Sequence, residues 1–148
     1  MQLVSTLAHG PQCYRGEGIN HDQQSFLGTL RVQPVEDGRA VLLNYIATLP
    51  DGTVVHSETA LIGVGPNGIL CLWPVMGELP VVLPHELKST EPRTDEGIKA
   101  TFATGTREAS DAFREEISIA LRVDGSVIYA HAWGLPGGQF SERSSCTL

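Results

Sequence analysis

The chain has 148 residues and a net charge of -7, with 41% hydrophobic and only 18% charged residues. A chain of this length buries about 70% of its unfolded surface and can fold without disulfide or metal staples, and so apolar a composition excludes disorder. Ten Lys and Arg against seventeen Asp and Glu, with the bases scattered along the chain, argue against nucleic-acid and anionic-membrane partners, which need clustered cations.

In chain order, a short helix is predicted near residues 1–8. The same opening, MQLVSTLAHG, has neither the basic flank nor the apolar core of a secretion signal. A strand is predicted at 13–19 (CYRGEGI), followed by strands at roughly 25–33, 40–49, 53–64, 69–76 and 80–84. The polar stretch HELKSTEPRTDEG, residues 85–97, reads as a solvated loop. Strands follow at 98–104, 113–123 and 126–134, with a turn at TREASDAF between the first two. With no βαβ alternation, the pattern is all-β: an antiparallel meander closed into a barrel of about 8–10 strands with little helix, one domain over 1–148. No run approaches the roughly 20 apolar residues of a membrane span. Cys13, Cys71 and Cys146 are odd in number and lack metal-type spacing, so reduced thiols and a cytoplasmic location are expected.

Three turns share one chemistry. Pro50-Asp51-Gly52 and Pro66-Asn67-Gly68 each set φ with Pro, place an Asx residue second and put Gly in the left-handed third position, which defines a three-residue hairpin loop. Counting back from the first, Leu49 pairs with Thr53, Ile46 with His56 and Asn44 with Glu58. His56 and Glu58 then share a face with Leu42, Ile46, Ile62, Leu70, Leu72 and Met76, and are enclosed by it. The opposite face, with Leu43, Tyr45, Leu61, Trp73 and Val75, is apolar too. An antiparallel sheet wetted on one side should alternate, so the outer face is expected to meet a partner, and a homodimer is the expectation.

The third turn, Val123-Asp124-Gly125, allows two registers. As a three-residue loop it sends Val127, Tyr129, His131 and Trp133 inward with Ile117, Ile119 and Leu121. As an Asp124-Gly125 two-residue turn it sends them out. The first is preferred because it keeps Tyr, His and Trp from sharing an exposed face. The expected ligand contacts are therefore Asn44, His56, Glu58, Tyr129 and His131. No second acid is evident inside to pair with Glu58, and no nucleophile elbow, P-loop, dinucleotide fingerprint or His-Glu-x-x-His helix occurs.

CYRGEGI, with Tyr14 followed by Gly16 and Gly18, resembles the Gly-x-Trp-x-Gly-x-Gly opening of small calycin-type barrels, among them nitrobindin-like and fatty-acid-binding-protein-like proteins. The run GRAVLLNYIATLPDGTVVHSETALIGVGPNGILCLWP, with Trp73 in its last strand, is similar to their central strands. Tyr14 stands where Trp is usual and Gln12 where a Gly is usual. The resemblance implies a ligand cavity and, through a His late in the chain, haem held by His131. The residues themselves point to no cofactor. The expected function is binding of a small apolar or amphipathic ligand inside the barrel, with no catalytic residue assigned. The alternatives are a haem barrel or an enzyme using His131 or the His56/Glu58 pair, and a dimeric structural protein with a filled barrel.

Overall fold

The computed structural model describes residues 2–93 and 97–148. One helix, α1 (Gln2–His9), precedes ten strands: β1 (Cys13–Asn20), β2 (Ser25–Val35), β3 (Ala40–Thr48), β4 (Val54–Val64), β5 (Leu70–Met76), β6 (His85–Arg93), β7 (Gly97–Thr104), β8 (Arg114–Leu121), β9 (Val127–Gly134) and β10 (Ser141–Thr147). Each strand pairs antiparallel with its sequence neighbours, and β1 pairs with β10, so the meander closes into a barrel. Closure removes the free edges that would otherwise invite pairing with another chain. Among the described residues no helix is long and apolar enough to cross a membrane.

The three turns form as their residues dictate. Leu49 N bonds Thr53 O, and Gly52, at φ 88°, bonds back to Leu49 O; the same pair of bonds recurs at Gly65–Ile69 and Arg122–Ser126. In each, the Asx side chain accepts from the backbone two residues on: Asp51 from Thr53, Asn67 from Ile69 and Asp124 from Ser126. The last turn is thus a three-residue loop, and Val127, Tyr129 and His131 point inward, opposite Leu121, Ile119 and Ile117.

One register differs from the expectation. Thr48 pairs with Val54, as the turn requires, but Ala47 pairs with His56, so Val55 is an extra residue in β4. Every pairing below the bulge slips by one: Tyr45, not Asn44, faces Glu58, and Ile46 faces Ser57. The inward residues of β3 are therefore Val41, Leu43, Tyr45 and Ala47, all buried. Asn44 lies on the outside, bonded to Thr59 Oγ1.

Two further segments depart from the sequence reading. Residues 80–84 are not a strand; Val81 and Val82 are exposed in the β5–β6 connection. The predicted loop at 85–97 is instead largely β6, whose inward residues are His85 and Leu87 and whose remainder is too polar to show a strand period. Residues 94–96 of that loop, and Met1 of the predicted helix, lie outside the described residues. Strand β10, SERSSCT, has no counterpart in the predicted elements because small residues, Ser144 and Cys146, take its inward positions opposite His131 and Tyr129.

Interior packing divides the barrel into two halves. At the end holding the β2–β3, β4–β5 and β8–β9 turns, Leu3, Val4 and Leu7 of α1 enter the core. Leu30, Leu43, Ile62, Phe102, Ile117 and Ile119 fill the lumen above them, each no more than 1% exposed. Barrel closure uses Gly16, where a Cβ would run into the Thr147 carbonyl across the β1–β10 seam.

Candidate functional site

The opposite end of the barrel is open. A cavity of about 450 Å³ enters there, with Phe26, Ala47, Val55, Met76, Phe113 and Trp133 among its walls and Tyr45, His56 and His131 at its base. Two extra residues shape the mouth: the bulge at Val55, and a second in β10 between Glu142 and Ser144 that lies at Arg143. Bulges twist a strand locally and re-aim side chains at barrel rims. The Arg143 guanidinium lies 4.3 Å from the Trp133 ring centroid, and it donates to the carbonyls of Trp133 and Gln139.

Glu58 is 1% exposed and sits directly beneath the cavity. Its Oε1 accepts from Tyr129 OH at 2.6 Å, and its Oε2 accepts from His131 Nε2 at 2.8 Å and from His56 Nε2 at 3.2 Å. His56 Nδ1 donates to Glu78 Oε1 at 2.7 Å, and Ser144 Oγ lies 3.4 Å from His131 Nδ1. The Tyr45 ring packs on Tyr129, with centroids 4.7 Å apart. Since β4 and β9 stand on opposite walls of the closed barrel, the bonds from Glu58 to Tyr129 and His131 span the lumen and separate its open half from its filled half.

These contacts set the charges. Burial alone would raise the Glu58 carboxyl, but the charge of His131 and hydrogen bonds from His131, His56 and Tyr129 outweigh it and hold the group well below the usual carboxylate range. Burial alone would lower the His56 pKa; hydrogen bonds to Glu58 and Glu78, with their charges, instead raise it to about 9. The Tyr129 hydroxyl is pushed well above its ordinary value by burial and by the charge of Glu58. Tyr45 is raised as well, again mainly by burial. The base of the cavity is thus a fully bonded carboxylate with an imidazolium beside it at neutral pH.

Of the expected ligand contacts, His56, Glu58, Tyr129 and His131 converge, and Asn44 is excluded by the Val55 bulge. Tyr45 takes its place. A second acid does lie inside: Glu115, 3% exposed, lines the cavity, and its Oε2 lies 2.9 Å from Nε2 of the fully buried His85, whose Nδ1 is 2.8 Å from Leu83 O. Carrying the inward alternation of Ile119 and Ile117 one step back reaches Glu115, so the signal for the acid was present. Its partner was hidden because β6 is polar.

Haem does not fit the residues present. An axial nitrogen needs space beyond it for the whole macrocycle, yet His131 Nε2 faces buried Glu58 at 2.8 Å, with His56 bonded to the same carboxylate oxygen, and its Nδ1 faces Ser144 on β10. No protein-family model matches the chain, and no curated protein matches it.

Proposed function

We propose that the protein is a calycin-like binding barrel whose open half takes one small, mainly apolar molecule with an uncharged or cationic polar end. The observation that carries this reading is the division of the lumen: apolar walls above, a bonded polar floor at Glu58, Tyr129 and His131, and a packed core below. A cavity of about 450 Å³ is within the range of small-molecule sites, which join apolar walls to a few convergent polar groups.

Charge selects among ligands. Asp22, Glu78 and Glu115 line the cavity and Glu58 underlies it, four acids against His56, His131 and Arg143, so an anionic head group meets net repulsion. Acid–base catalysis at neutral pH is less well supported. Glu58 is held low and bonded three times, and His56 holds its proton to about 9, whereas a general base works best with a pKa near the operating pH.

The test is a paired titration with an anionic and a cationic fluorescent dye of similar apolar area. The cationic dye should bind saturably at one site per chain and lose affinity in Val55→Trp, a mouth residue that is 38% exposed and can change without disturbing the core. Equal binding of both dyes, or binding indifferent to Val55→Trp, would contradict the reading.

We also propose that two chains associate through the outer face of β3–β5 in the cytoplasm. Leu61 pairs with Leu42 on one side and Trp73 on the other, and with exposed Val75 this forms an apolar row on the outside of three adjacent strands. A dimer mass in sedimentation, reduced to the monomer by Leu61→Glu, is expected; a monomer at micromolar concentration would refute it.

A further inference from the structure

We propose that His56, Glu58 and His131 form a binding site for one divalent first-row transition metal ion at the base of the cavity. Their ligand atoms, two Nε2 and one carboxylate oxygen, lie within 4.8 Å of one another. Glu58 Oε2 is already 3.2 Å from one nitrogen and 2.8 Å from the other. Tetrahedral ligands bound at about 2.1 Å stand roughly 3.4 Å apart, so the two rings need only open from Oε2 by roughly 0.2–0.6 Å to admit an ion. In the metal-free protein, protons on the two Nε2 atoms occupy the lines that the ion would take.

The atoms behind these ligands make the cluster more than a chance meeting of three polar groups. Metal-binding imidazoles characteristically give their second nitrogen to a carboxylate, carbonyl or hydroxyl, and ligating carboxylates are themselves hydrogen-bonded. His56 Nδ1 bonds Glu78, His131 Nδ1 faces Ser144 Oγ, and Glu58 Oε1 accepts from Tyr129 OH. Each ligand is therefore held from behind with its metal-facing atom turned to the centre. Two imidazoles and one carboxylate suit Zn²⁺, Fe²⁺ or Co²⁺ better than Ca²⁺ or Mg²⁺, which prefer all-oxygen shells.

The ligands come from opposite walls, β4 and β9, while His56 and His131 both line the cavity. A bound ion would have its remaining coordination position turned towards that space. Three protein ligands with one open position mark sites where the ion meets water or a ligand atom. The surrounding Glu78 and Glu115 favour a cation in the same way. The inference goes beyond the organic-ligand reading: the ion binds whether or not the cavity holds a molecule.

The experiment is titration of the purified full chain with Co²⁺, read by its visible d–d absorption, followed by displacement with Zn²⁺. The expected result is one Co²⁺ per chain, released stoichiometrically by Zn²⁺, and lost in Glu58→Gln and His131→Gln. Because those two buried substitutions can also disturb folding, the deciding variant is Glu78→Gln. The Glu78 side chain is 52% exposed and touches the site only through His56. Its removal should weaken binding about tenfold or more with the circular dichroism unchanged, while His9→Ala on α1, at the closed end, leaves affinity as it was. Absence of saturable Co²⁺ binding by the wild-type chain, or affinity unmoved by Glu78→Gln, would overturn the proposal. Neither result depends on Val55→Trp, so the metal site and the organic-ligand cavity fail or stand separately.

Discussion

The Tyr129 hydroxyl donates to Glu58 Oε1 at 2.6 Å across the lumen, joining two residues 71 positions apart in the chain. A buried carboxylate is costly unless its oxygens are bonded, and this bond, with those from His131 and His56, lets an acid serve as the floor of the cavity. Removing the hydroxyl in Tyr129→Phe leaves part of Glu58 Oε1 unsatisfied while conserving the ring against Tyr45. The expected loss is about 1–3 kcal/mol, measured by urea denaturation with an unchanged slope. A cost near zero would mean that water replaces the hydroxyl and the floor is not closed.

The Val55 bulge decides which side chains meet Glu58. Deleting Val55 removes the extra residue and leaves Ala47 opposite His56 and Tyr45 opposite Glu58, so it takes away only the local twist that the bulge gives the mouth. Such a deletion keeps the buried polar cluster paired and should cost only about 1 kcal/mol, while binding in the cavity weakens because the re-aimed mouth is lost. A deletion variant with native stability and intact dye binding would show that the bulge is incidental.

How much was legible in the sequence follows from these same residues. The turn chemistry was readable because Asp51, Asn67, Asp124 and the glycines act locally, and it gave the Leu49–Thr53 pairing and the last hairpin correctly. The bulge was not, since an extra Val in a Val-Val pair leaves no mark in the apolar pattern. His56, Glu58, Tyr129 and His131 were found because ionisable or polar groups break otherwise apolar inward runs. Tyr45 was missed with the bulge. His85 and Ser144 were missed because β6 and β10 turn few apolar side chains inward, and strand periodicity is a pattern of apolar residues.

Arg114 is 3% exposed and ties two mouth loops together: its guanidinium donates to the carbonyls of Arg107, Ala112, Leu135 and Gly138. Gly134 lies against it, and a Cβ there would meet the guanidinium. Arg114→Ala should cost about 3 kcal/mol or more by leaving several carbonyls unpaired, and Arg114→Lys should not restore it, because one ammonium cannot reproduce the planar fork. Rescue by lysine in thermal denaturation would show that charge alone suffices.

Glu116, beside Glu115 but on the outer face of β8, is clamped by Arg107 at 2.6 Å and 2.9 Å and by Lys88 at 2.7 Å. The hydrogen bonds from Arg107, and after them those of Lys88 with both charges, lower its pKa against the effect of burial. A lowered folded-state pKa gives stability that is present above the unfolded value of about 4.3 and lost as pH falls through the folded one. Glu116→Gln should therefore be less stable than wild type near pH 7, with the two stabilities converging in acid. A gap that stays constant down to the acid transition would contradict the assignment.

On the proposed reading, the open half of the barrel binds a small amphipathic molecule on the Glu58 floor. Amide chemical-shift mapping during titration with an uncharged amphipath such as 1-octanol tests it most directly. Saturable shifts centred on Ala47, Val55, His56, His131 and Trp133 are expected, and should be absent in Val55→Trp. Shifts that do not saturate, or that centre on the outer Leu61–Trp73 row instead, would contradict it.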